Sequence, residues 1–110
     1  MTSDRLEQLL GLLKNSPNDS FINFAIAKEF EGLDDDENAL KYYLQLVAED
    51  VNYVGTYYHL GKLYEKMEEF ETAFSTYKDG MQIAKSQGDQ HAYNELAGAK
   101  LNLGDDEDFE

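Results

Sequence analysis

The chain has no cysteine and no tryptophan, a single proline and only two histidines. Without cysteine it can form no disulfide, no thiolate metal site and no thiol nucleophile. Basic residues are scarce too: nine Lys and Arg stand against 23 Asp and Glu, a formal charge of −14. That balance repels phosphate backbones and anionic membranes, which are bound through clustered Lys and Arg. No apolar run nears the ~20 residues needed to cross a bilayer. Asp4, Arg5 and Glu7 stand where a secretory leader would carry basic residues and then an unbroken apolar stretch. The expectation is a cytoplasmic protein that binds neither nucleic acid nor membrane.

Catalytic equipment is equally thin. His59 and His91 are the histidines, with no His-Glu-x-x-His pair and no glycine loop of a phosphate-binding pattern. The acids Asp34, Asp35, Asp36 and Glu37 are consecutive, whereas a calcium loop alternates its ligands around a glycine. They fall between helical segments, where Asp36 is expected to cap the next helix and negative charge suits its N-terminus. No enzyme activity, cofactor or metal is expected.

What the chain does have is apolar residues at helical spacing. Hydrophobic content is 42%, with eight Tyr and six Phe, enough for a core. Leu6, Leu9, Leu10 and Leu13 form one stripe, with Ser3 placed to cap it and Pro17 soon after its end. Further stripes run through Phe21–Phe30, through Ala39, Leu40, Tyr43, Leu44 and Val47, and through Val54–Tyr64. Two more run through Phe70–Ala84 and through Ala92, Tyr93, Leu96, Ala97 and Leu101. About six helices with short connections imply antiparallel neighbours in an all-α fold. The segment 105–110, acidic apart from Phe109, reads as a flexible tail.

An offset of about 34 residues aligns 20–53 with 54–87. Lys28, Glu31, Glu37, Ala39 and Tyr43 then meet Lys62, Glu65, Glu71, Ala73 and Tyr77. The second unit reads Tyr57-x-x-Leu60-Gly61-x-x-Tyr64 and then Ala73-x-x-x-Tyr77. The first reads Asn23-x-x-Ile26-Ala27-x-x-Phe30 and then Ala39-x-x-x-Tyr43. This resembles the tetratricopeptide repeat signature, with Tyr for its leading Trp in the second unit and Asn23 in that place in the first. Neither unit has the signature's closing proline; Val51 and Lys85 stand there.

The resemblance implies a right-handed superhelix of antiparallel helix pairs in one domain over 1–104. Residues 3–16 would supply a half-repeat helix, 20–53 and 54–87 the two repeats, and 89–103 a capping helix. In that last segment Lys100 takes the place of an expected aromatic. Small residues at Ala27, Ala39, Gly61 and Ala73 would let the paired helices cross closely. The family holds protein or peptide partners in a concave groove lined by the first helix of each repeat. Carried over, that groove comprises Phe21, Phe24 and Lys28 in the first unit and Tyr58 and Lys62 in the second. The asparagines with which some relatives grip a chaperone's C-terminal carboxylate are not matched, which points to a more hydrophobic ligand. The alternative is self-association, a homodimer formed through the aromatic groove or the end helices; a monomer or weak homodimer is the expected state.

Overall fold

A computed structural model describes residues 3–109. Its helices are α1 (Asp4–Asn15), α2 (Ser20–Gly32), α3 (Asp36–Glu49), α4 (Gly55–Lys66), α5 (Phe70–Gln87) and α6 (Gln90–Leu103). A 3-10 turn, Asp106–Phe109, follows, and there is no strand among the described residues. The chain divides into two compact units, Met1–Tyr53 and Val54–Glu110.

In the first unit α1 packs on α2 and α2 on α3. Ser3 Oγ accepts from Leu6 N at 3.0 Å, the capping bond expected of it. The stripe of α1 then buries Leu6 and Leu9 against Ala25 and Ile26 of α2, with Leu10, Leu13, Ile22 and Phe30 around them. Polar ties close the edges of these pairs. Ser3 Oγ donates to Glu29 Oε1 at 3.0 Å and Arg5 Nε lies 3.4 Å from Glu29 Oε2. Ser20 Oγ, at the start of α2, donates to Asp50 Oδ2 at 2.5 Å, beyond the end of α3.

In the second unit α4 packs on α5 and α5 on α6, and α6 also touches α4. Gly80 makes room for that third contact. A Cβ there would stand 2.5 Å from Tyr57 Cβ on α4 and 3.0 Å from Leu96 Cδ1 on α6. Tyr57, Leu60, Leu63, Ala73, Phe74, Tyr77, Ala84, Leu96 and Ala99 form the buried apolar set of this unit.

Three sequence expectations are corrected in detail. The cap of α3 is Asp35, not Asp36. Its carboxylate accepts from Asn38 N at 3.2 Å and Asn38 Nδ2 at 2.7 Å, and Asp36 is already the first helical residue. Leu44 and Leu101 are exposed, while Leu46 and Ala99 are buried. On α3 the inward line is Ala39, Tyr43 and Leu46, a spacing of four and then three that places Leu44 outside it. The acidic segment after Gly104 is a 3-10 turn with the Phe109 ring stacked on Phe74 of α5, where a flexible run was expected.

Both helix pairs turn on the same backbone device. Asp34 and Glu68 lie in the left-handed region, with φ of 58° and 62°. Around them Asp35 N donates to Phe30 O (2.9 Å) and Asp34 N to Glu31 O (3.0 Å), while Glu69 N donates to Tyr64 O (2.8 Å) and Glu68 N to Glu65 O (2.9 Å). This pairing satisfies the last carbonyls of the first helix and reverses the chain within three residues. The end of α5 uses the same pattern, with Gly88 at φ 70° and Asp89 N donating to Ala84 O at 2.9 Å. A left-handed residue with a Cβ costs roughly 1–2 kcal/mol that glycine does not incur. Glu68 is exposed, so Glu68→Gly removes that strain with little else. The variant should be more stable by up to about 1 kcal/mol in urea unfolding, after glycine's larger unfolded-state entropy is deducted.

Candidate functional site

The five positions expected from the sequence to line a groove lie on the first helix of each pair. On α2, Phe21 is 66% exposed and Lys28 is exposed. Phe24, between them, is half-buried, its ring centroid 6.2 Å from Tyr43 in an edge contact and 5.8 Å from Tyr53. On α4, Tyr58 is half-buried against Tyr77, at 6.5 Å, and against the edge of His59, at 5.5 Å. Lys62 Nζ sits 5.6 Å from the Tyr58 ring centroid, within the range of a cation–π contact, and 3.6 Å from Glu65 Oε2. The structure thus brings Tyr58 and Lys62 into direct contact. It places Phe24 partly inside its own repeat, so that ring has a packing role as well as an exposed edge.

Behind each ring lies a hydrogen bond that joins the two helices of its pair. The Tyr43 hydroxyl of α3 donates to Glu31 Oε1 of α2, and the Tyr77 hydroxyl of α5 donates to Glu65 Oε2 of α4. Both phenols belong to fully buried side chains. Small residues let the rings reach in: Ala27, Ala39 and Ala73 are fully buried, and a Cβ on Gly61 would overlap the Tyr77 ring. Both members of each bond were among the repeated identities, twelve positions apart in each unit. The signal was present, but an isolated Glu and Tyr do not announce a bond until the helices are paired.

Asn23 shows how the first unit manages without its leading aromatic. It is 4% exposed, about as buried as Tyr57 at the matching position. Its Nδ2 donates to Asp19 O at 3.0 Å and Pro17 O at 3.3 Å. An amide tie to the preceding turn thus takes the place of ring packing.

With this geometry in view, the comparisons with known proteins are specific. A family model described as tetratricopeptide repeat matches residues 54–87. The crystal structure of a tetratricopeptide repeat domain protein from Salinibacter ruber is similar at 42% identity, with a TM-score of 0.74. That match covers 77% of this chain and 94% of the other. A solution structure of a tetratricopeptide repeat domain protein from the same organism matches at 42% identity and a TM-score of 0.78, covering 80% of this chain and 89% of that one. The chain belongs to the tetratricopeptide repeat family. The search of curated proteins gave no match.

In this tetratricopeptide repeat protein the buried phenols have a measurable signature. Burial, and then the hydrogen bond to Glu31, hold the Tyr43 hydroxyl well above the ordinary phenol range; burial and Glu65 do the same for Tyr77. Tyr53 and Tyr64 are raised as well, chiefly by burial and then by nearby carboxylates. An unfolded tyrosine ionises near pH 10, so below that value both states keep the proton and the stabilisation is fully present. Above it the unfolded chain loses protons that the folded chain retains, and stability falls as pH rises. The urea midpoint should therefore drop steeply above about pH 10. The pair Tyr43→Phe and Tyr77→Phe should flatten that slope while costing about 1–3 kcal/mol per site at neutral pH. An unchanged alkaline slope in the double variant would count against this origin.

Proposed function

We propose that this chain is a protein-interaction module that takes a peptide or helical segment of a partner protein on the first helices of its repeats. The fold in general mediates protein–protein interaction, and proteins of this kind are in general scaffolds without enzymatic activity. The observation that carries the reading is the recurrence of one ring and one lysine, a helical turn apart, on both first helices: Phe24 with Lys28, and Tyr58 with Lys62. Phe21 extends the first of these outward and is the most exposed aromatic named here. A ring held from behind by its own repeat offers a rigid apolar face with little entropy left to lose on binding. The lysines give that face a positive edge in a chain of net charge −14, which suits a ligand with apolar side chains beside a carboxylate. No helix among the described residues is long and apolar enough to cross a membrane.

The test has to spare the packing that Phe24 provides. Phe21→Ala and Lys28→Gln change exposed groups, where substitutions usually stay within about 0.5 kcal/mol, and Lys62→Gln removes a charge while leaving Glu65 its bond from Tyr77. Quantitative affinity capture from the host's lysate should recover at least one protein with the wild-type chain and lose it with the triple variant. Identical recoveries, with matched far-ultraviolet circular dichroism, would refute the surface. If the recovered species is a second copy of the chain, self-association is the correct reading.

A further inference from the structure

The segment after α6 does not trail into solvent. It folds back onto α5, and three observations converge there. The Phe109 ring stacks on Phe74 with centroids 4.4 Å apart and planes 18° from parallel. Asp106 Oδ1 lies 3.5 Å from Lys100 Nζ and 3.8 Å from Lys78 Nζ. The same two ammonium groups sit over the Phe74 ring, at 4.7 Å and 5.9 Å from its centroid. One aromatic ring flanked by two lysines therefore holds one aromatic ring and one carboxylate.

The chain is shaped to bring this segment back. Gly104 has φ 144° and ψ −166°, a conformation essentially confined to glycine. A Cβ at that position would stand 2.6 Å from Asp108 Oδ2. Asp105 N donates to that oxygen at 2.9 Å, which fixes the turn. Beyond Asp106 the surface continues as an open recess of about 280 Å³ whose walls include Lys78, Lys85, Lys100, Met81 and Tyr93. Three of the chain's nine basic residues thus face one recess, in a molecule that is otherwise strongly acidic. The 3-10 turn covers only one edge of it.

We propose that the Phe74–Lys78–Lys100 face is a binding site for a partner's acidic peptide segment ending in an aromatic side chain, and that residues 105–109 occupy it in cis as a built-in competitor. The charge complementarity and the seated Phe109 define the ligand: carboxylates for the lysines and a ring for Phe74. The site lies within the second unit and shares none of the five first-helix residues, so it stands or falls independently of the surface proposed above. Because the tail is tethered directly to α6, its effective concentration at the site is high, of millimolar order for a short flexible link. A tail seated about nine-tenths of the time weakens the apparent affinity for a competing peptide about tenfold. An incoming partner must outcompete it, and more carboxylates that reach Lys85 would let it do so.

The experiment uses the full chain and a fluorescein-labelled peptide of sequence Asp-Asp-Glu-Asp-Phe, followed by fluorescence anisotropy. Gly104→Ala disturbs the tail's return without touching the site, and Phe109→Ala removes its anchor. Each should bind the probe about tenfold more tightly than the wild-type chain. Adding Lys78→Gln and Lys100→Gln to Gly104→Ala should reverse that gain, and the gain should shrink as salt is raised. Unchanged probe affinity in both tail variants would overturn the cis competitor, and unchanged affinity after the lysine substitutions would overturn the site. Nuclear magnetic resonance keeps the test decisive if a variant folds poorly: in the wild-type chain, excess unlabelled peptide should release the ring-current shifts of Phe109. Shifts that persist at saturating peptide, or a tail contact that appears only with concentration-dependent dimerisation, would also overturn the proposal.

Discussion

Each repeat depends on a phenol that crosses from its second helix to a carboxylate on its first. Tyr43 reaches Glu31 and Tyr77 reaches Glu65, both from fully buried rings. A partly buried hydrogen bond of this kind contributes only if its geometry is held, and the cost of leaving one partner unpaired is larger than the net gain of the bond. The surrounding sequence is explained by that requirement. Gly61 must lack a Cβ so that the Tyr77 ring can pass, and Ala27, Ala39 and Ala73 are small residues wholly buried in the same two repeats. The left-handed residues Asp34 and Glu68 must reverse the chain quickly enough to set the second helix beside the first. The strain at those two residues is thus tolerated because it places the Tyr–Glu pair.

The ring and lysine on the outer line of each first helix inherit their positions from the same bond. Tyr58 leans on Tyr77, and Lys62 contacts both the Tyr58 ring and the carboxylate that Tyr77 holds. In the first repeat Phe24 leans on Tyr43 in the same way. Interior and surface are therefore coupled within each repeat. Truncating Phe24 to probe binding would also loosen the core, whereas Phe21 and Lys28 are exposed.

Much of this was legible in the sequence because helix periodicity, small residues and the 34-residue echo are all local or self-referential signals. What was not legible needed spatial partners. Asp35 rather than Asp36 caps α3 because Asn38 presents both its backbone N–H and its side-chain amide to that carboxylate, and adjacent acids do not reveal which will win. Leu101 was read as part of an apolar stripe but is 71% exposed, since the inward line of α6 passes through Leu96 and Ala99 instead. The acidic tail was read from its charge alone. Composition could not show that Gly104 turns it back or that Phe109 has a ring waiting on α5.

Lys100 links that last miss to the family pattern. The family pattern places an aromatic at this position, where the chain has a lysine. In the structure the lysine side chain is only 19% exposed, lying across Phe74 with its ammonium toward Asp106. Its hydrocarbon stem can cover apolar surface while its head stays polar, so a lysine replaces part of the missing packing and adds a charge. That charge is what a −14 chain can use to hold its own carboxylates close. Without it, Asp106 would keep only Lys78 as a basic neighbour, and the like charges of Asp105, Asp106, Glu107 and Asp108 would weigh more heavily against the Phe109 stack. The departure from the repeat pattern at position 100 therefore supplies the positive edge that makes an acidic, aromatic ligand the natural complement of this end of the molecule.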